Sequence, residues 1–120
     1  NFGVCEQSMI GAASGMALEG LKPWIYTITP FLIERAFEQV KLDIDQQNVN
    51  VNLVGFADYP TLGPSHAALD AERLMKLFKN IKSFFPKNSD ETESAIHESH
   101  QKDGPSFISL KKDFTYDSKW

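Results

Sequence analysis

The sequence has a single cysteine, Cys5, so no disulfide can form within the chain, and a reducing compartment, the cytoplasm, is the expected setting. No apolar run approaches the roughly 20 residues that a bilayer-spanning helix requires, so no membrane association is expected. Positive charge is also scarce. Twelve Lys and Arg against sixteen Asp and Glu leave a formal net charge of −4, which argues against a nucleic-acid groove. There is no internal repeat and no low-complexity tract. The chain opens at Asn1-Phe2-Gly3 with neither an initiator methionine nor a signal peptide, and motif-bearing sequence begins at once. That points to a fragment, or the visible part, of something longer.

What is present suits one globular domain. The 120 residues are enough to bury a single core, and 42% hydrophobic with 23% charged residues is an ordinary balance for such a unit. Residues from about Gln7 to Leu18 are helical in pattern, with Gly20 as a stop. Pro23 to Ile28 is a short β-branched and aromatic run, readable as a strand. Thr29 is placed to cap a helix that starts at Pro30, whose apolar residues Ile33, Phe37, Val40 and Ile44 recur at helical spacing. Val49 to Phe56 ends continuously apolar, as in a strand of a sheet covered on both faces. Ala57 to Ala67 is a loop, Leu69 to Phe78 a second amphipathic helix and Ile81 to Phe85 a further strand. Ser89 with Asp90 and Glu91 reads as the cap and acidic first turn of a helix to about Gln101, and Phe107 to Leu110 is a final strand. Strands alternating with helices predict an α/β fold, a mainly parallel sheet with helices on both faces.

Four short runs carry the candidate chemistry. The first is Gly3-Val4-Cys5-Glu6-Gln7, followed by a helix with Gly11 and Gly15. On local sequence alone Glu6 is a surface carboxylate favoured by the helix dipole. Each glycine weakens an isolated helix by about 1 kcal/mol relative to alanine. Together with Ala12 and Ser14 they suggest close approach to another backbone, such as a helix across a subunit interface. The second run is Thr27 to Phe37, in which Phe31 by itself reads as core. The third, Leu62-Gly63-Pro64-Ser65-His66, holds a loop histidine of the kind that is usually solvated. The fourth is Phe85 to Glu91.

Taken together, GVCEQSMIGAASGMALEGLKPWIYT, TPFLIERAFEQVKLD and GPSH resemble the pyrimidine-binding domain of transketolases and deoxyxylulose phosphate synthases, and especially the short, split transketolases. The resemblance runs from about Gly3 to Leu110 and implies a domain over 1–112, with 113–120 a linker or tail. In that family a glutamate at the position of Glu6 hydrogen-bonds N1′ of the aminopyrimidine of thiamine diphosphate. A carboxyl withdrawn from water favours its neutral form, so such a glutamate can share a proton with the ring. The resemblance implies that Phe31 stacks on the aminopyrimidine and that Ile28 stands where a second aromatic is usual. His66 corresponds to a histidine facing the substrate near its reacting carbonyl, a hydrogen-bond donor or proton shuttle.

Three positions depart from the family. Leu62 replaces an aspartate that contacts a sugar hydroxyl, Phe85 an arginine that binds the substrate phosphate, and Asn88 an aspartate. Lys87 is a flexible point charge and a poor substitute for a bidentate arginine. These changes put the ordinary pentose phosphate range in doubt. There is no Gly-Asp-Gly followed by Asn, the family's magnesium and diphosphate motif. Mg2+ is therefore expected to bind through a partner pyrophosphate domain or subunit, in a homodimer or heterotetramer. A strand and helix that normally precede Gly3 are also missing, which should leave one side of the sheet uncovered. No metal site is expected on the chain itself: His97 and His100 with Glu93 sit among polar residues on a solvated face. Cys5 is expected only to line the site.

The resemblance implies transfer of a two-carbon ketol unit between sugars or sugar phosphates, with Glu6 and His66 as the catalytic pair. A beta subunit of a 2-oxo-acid dehydrogenase and an inactive structural or regulatory relative remain alternatives.

Overall fold

The computed structural model describes residues 1–56 and 62–111. The first part of the expected 57–67 loop, residues 57–61, and the tail over 113–120 lie outside the described residues. Helix α1 (Glu6–Leu18) leads into β1 (Trp24–Ile28). A helical rod follows, built from a π-helical turn at Phe31–Arg35, an α-turn at Phe37–Gln39 and a second π-helical stretch at Val40–Gln46; together these are α2. Then come β2 (Asn52–Phe56), a 3-10 turn at Pro64–His66, α3 (Ala71–Met75), β3 (Lys82–Phe84), α4 (Ser89–Gln101) and β4 (Ser106–Leu110). The four strands lie in the order β1-β2-β4-β3, and every pairing is parallel. This is the expected α/β architecture.

Register explains which residues are buried. Ile25, Leu53 and Phe107 stand side by side across β1, β2 and β4. Successive strand residues point to opposite faces, so this row fills one of them. It joins Ile10 and Ala13 of α1 and Leu32, Ile33, Ala36, Val40 and Ile44 of α2 in one core. The opposite row is Tyr26, Val54, Ile108 and Phe84. There α4 lies against β4, and Ile108 is buried while Tyr26 at the β1 edge is 59% exposed. The second face is thus covered at one end of the sheet and open at the other. No helix among the described residues is long and apolar enough to cross a membrane.

The element ends show how local chemistry sets them. Gly20 has φ +88, and the bonds from Gly20 N to Ala17 O and from Leu21 N to Met16 O close α1 in a Schellman motif. The expected cap at Thr29 is absent: its hydroxyl is buried without a partner. It is packed against Gly55, where a Cβ would lie 2.6 Å from Thr29 Oγ1 and 3.2 Å from Phe107 Cε2. The cap of α4 is Asn88 rather than Ser89. Asn88 Oδ1 accepts from Glu91 N at 2.9 Å, and Glu91 Oε2 accepts from Lys87 N at 2.8 Å. The helix expected over 69–78 is much shorter, because Asp70 caps it by accepting from Arg73 N and the chain turns after Met75. Apolar residues continue beyond it because Phe78 and Ile81 enter the core from a turn.

That turn is clamped by Asp45, a buried residue at the end of α2. Its Oδ1 accepts from Asn80 N at 2.8 Å and Ile81 N at 3.2 Å, while Asn80 Nδ2 donates to the Asp45 carbonyl at 2.7 Å. Asp45→Ala strands two backbone donors and should destabilise the protein by about 2–4 kcal/mol in urea unfolding; Asp45→Asn, which keeps one acceptor, should cost less. Gly55→Ala forces a methyl against Thr29 and should cost about 1–3 kcal/mol in the same assay, with Thr29→Ser offering no relief because it retains Oγ.

Candidate active site

Glu6 is the first residue of α1, where the unpaired N–H groups of the opening turn favour a carboxylate. Cys5 before it is exposed and makes no side-chain cap bond. Glu6 itself is 7% exposed, so it is not the surface carboxylate that its position in sequence suggests. Its side chain has one hydrogen-bond partner among the described residues: Arg35 Nη1 donates to Glu6 Oε2 at 3.3 Å.

Arg35 connects the rest of the site. Its guanidinium carbon lies 3.9 Å from the centroid of the Phe31 ring, a close cation–π contact. The other side of the arrangement is His66, whose ring meets Phe31 edge-on, with centroids 4.9 Å apart and planes at 71°. Glu6, Phe31 and His66 come from the start of α1, the start of α2 and a distant loop. The folded chain joins all three in one cluster, with Arg35 linking Glu6 to Phe31 and the Phe31 ring meeting His66 directly.

The loop is held in place from α2. Gly63 has φ +101, a conformation that favours glycine, and it opens the 3-10 turn that carries His66. Ser65 Oγ lies 3.2 Å from His66 Nδ1. Leu69 N donates to Glu34 Oε1 at 2.7 Å, tying the chain just after His66 to the residue beside Arg35. Glu34 and Arg35 are the site residues that motif reading missed. Their signal was the offset of three and four from Phe31, which places them beside it on a helix.

Two hollows bear on where a ligand could sit, and Glu6 lines the smaller of them. One of about 370 Å³ has Glu6 and Met9 in its wall and opens along β1 through Trp24 to Thr27. Ile28 does not line it; that residue closes β1 opposite Phe56. A larger hollow of about 570 Å³ lies at the carboxyl ends of β2 and β4, where parallel sheets usually bind ligands. Pro86 to Ser89 line it, but Glu6, Phe31 and His66 do not. Phe85 turns away into the core against Phe107, at 6.0 Å between centroids. Leu62 is exposed at the mouth of the His66 turn. His97 is paired with Glu93 at 3.6 Å on the exposed side of α4.

The donor set suits an aminopyrimidine. A buried carboxyl able to share a proton with a ring nitrogen and an aromatic face are both present, and the flat Arg35 guanidinium contacts the two of them.

Comparison with known proteins places the chain in a family. Residues 1–116 match the family described as transketolase, pyrimidine binding domain. Among curated proteins, the chain is 39% identical over 113 residues to an apulose-4-phosphate transketolase subunit of Actinobacillus succinogenes, covering 92% of this chain and 36% of that one. Among solved structures, a split-gene transketolase in an inactive beta4 tetramer superposes with a TM-score of 0.81 at 27% identity, over 90% of this chain and 35% of the other. Transketolase from Campylobacter jejuni, at 20% identity and a TM-score of 0.82 over 92% of this chain and 18% of that one, shares the fold. The chain spans about a third of the length of the first two. It belongs to the transketolase family of thiamine diphosphate-binding proteins, as its pyrimidine-binding domain.

Proposed function

We propose that this chain forms the pyrimidine side of a transketolase-type active site that moves a two-carbon ketol unit between sugars. The observation that carries the reading is one chain of contacts that joins the three residues, from Glu6 to Arg35, from Arg35 to Phe31 and from Phe31 to His66. When bound, thiamine diphosphate supplies nucleophilic chemistry at its thiazolium C2. Glu6 would hydrogen-bond N1′ and hold or move the proton shared between them, which governs the tautomer of the ring. Phe31 offers the stacking face. His66, oriented by Ser65, donates to the substrate oxygen that gains charge and shuttles its proton. Mg2+ and the diphosphate are held by a pyrophosphate-binding domain or subunit, since the chain carries no motif for them.

The substrate side is altered from that of an ordinary transketolase. Phe85 is committed to the core, so it leaves no cation at that position for a phosphate. Leucine at 62 makes no hydrogen bond to a sugar hydroxyl. The name of the Actinobacillus relative makes a 4-phosphorylated ketose the first donor to assay. The same departures favour a second reading, a structural subunit without turnover. Proton exchange at the cofactor separates the two, because it needs Glu6 but no sugar.

Glu6→Gln in the assembled protein should keep most cofactor affinity and lose about 10²–10⁴-fold in turnover. Deuterium exchange at C2–H without sugar should be slow in this variant and normal in His66→Ala, whose defect belongs to the substrate steps. Exchange as fast in Glu6→Gln as in the parent removes Glu6 from the mechanism, and no exchange in the parent favours the structural subunit.

The assembly has its own test. Gly11 and Gly15 are exposed, and a Cβ at either meets nothing within 4 Å. Within this chain, Gly15→Leu should therefore be harmless or improve helix stability. If α1 packs on a partner helix, the same substitution should dissociate the assembly, as read by light scattering. Unchanged mass and melting temperature would falsify the contact.

A further inference from the structure

The two contacts an aminopyrimidine needs here are both made by one side chain. Arg35 Nη1 is 3.3 Å from Glu6 Oε2, and its guanidinium lies 3.9 Å over Phe31. A guanidinium and an aminopyrimidine are alike in the features that matter: each is flat, each stacks on an aromatic face, and each presents N–H to a carboxylate, the pyrimidine through N1′ once that nitrogen takes the shared proton. Because the guanidinium stacks directly on Phe31, that face has no room for a second layer between them. The two groups therefore compete for one position.

We infer that Arg35 is a placeholder for the cofactor ring, holding Glu6 and Phe31 in register and yielding both when the ring enters. This rests on the cofactor reading above. Three features fit a group that is built to move. The Arg35 side chain is 41% exposed while that of Glu6 is 8%, so the guanidinium can swing into water, whereas the carboxylate stays behind. Its stem is long and flexible, and the two groups it touches here are the two that the ring would take over. A buried carboxylate left unpaired is strongly disfavoured. A resident cation keeps Glu6 compensated until N1′ replaces it, so Arg35 opposes cofactor binding while preserving the site that binds it.

The test uses the complete protein assembled with its diphosphate-binding partner, titrated with thiamine diphosphate in the presence of Mg2+. Arg35→Met removes the charge and the plane but keeps the length. It should bind cofactor about 3- to 10-fold more tightly, the factor expected when a half-exposed ion pair and a cation–π contact no longer compete. Arg35→Lys keeps the charge without the flat stack and should tighten binding by less. Without added cofactor, Arg35→Met should melt lower than the parent. A purely structural partner of Glu6 would give the same melting shift but weaker binding, so affinity decides. Unchanged or weaker binding by Arg35→Met, with ordinary binding by the parent, overturns the placeholder. If Arg35→Met does not assemble, the same result from Arg35→Lys overturns it. A parent assembly that binds no thiamine diphosphate overturns the cofactor reading itself, and the placeholder with it.

Discussion

A carboxylate can be withdrawn from water only when hydrogen-bond donors or positive charge meet it, and both buried acids among the described residues, Glu6 and Asp45, obey that constraint. Asp45 meets backbone N–H groups and so has a fixed, local role: it ends α2 and positions the turn that feeds β3. Glu6 meets a side chain, Arg35, which is half in solvent. The contrast separates structure from function. Backbone donors cannot leave without unfolding the turn, whereas a guanidinium on a flexible stem can. Burial of Glu6 against Arg35 also ties α1 to α2 and aligns Phe31, and through Phe31 the His66 turn.

Much of this was legible in the chain itself. The alternation of strands with amphipathic helices needs only the period of the apolar residues, and a parallel sheet follows from connections long enough to cross over. Gly20 as a helix stop was readable because left-handed backbone is a local property of glycine. Misplaced ends trace to competition between neighbouring candidates. Thr29 is a good cap residue by type, but its hydroxyl is consumed in close packing on Gly55. Asn88 and Ser89 are both capping residues, and Asn88 prevails because Glu91 lies three residues on and closes a reciprocal pair with the preceding backbone. The π-helical turns of α2 have no comparable signal in the spacing of its apolar residues.

The site was legible only where a motif existed. Glu6, Phe31 and His66 sat in recognisable runs, but no run states that they meet. Arg35 lay in plain view within FLIERAF, and its role depends on a distance to α1 that sequence spacing does not encode. The substitution at Asn88 is clearer in the structure than in the sequence: an amide caps α4 as well as an aspartate would, so that change costs the fold nothing. Phe85 is the opposite case. Its ring fills core volume against Phe107, so restoring a cation there would remove packing as well as add charge.

The same reasoning extends to the surfaces that the chain leaves unused. An edge strand with exposed Trp24 and Tyr26 beside a hollow walled by Glu6 is an unusual place to leave apolar surface, since open sheet edges invite pairing. A helix that surrenders propensity at Gly11 and Gly15, with Met16 and Leu18 exposed nearby, is likewise poorly explained by contacts within the chain. Both features lie on α1 or β1, the elements that flank Glu6. Surface that is uneconomical in isolation and concentrated around one carboxylate is the pattern expected of a half-site, in which neighbouring protein supplies the walls. Within the chain, the buried charge of Glu6 is met by Arg35, the one side-chain partner it has among the described residues.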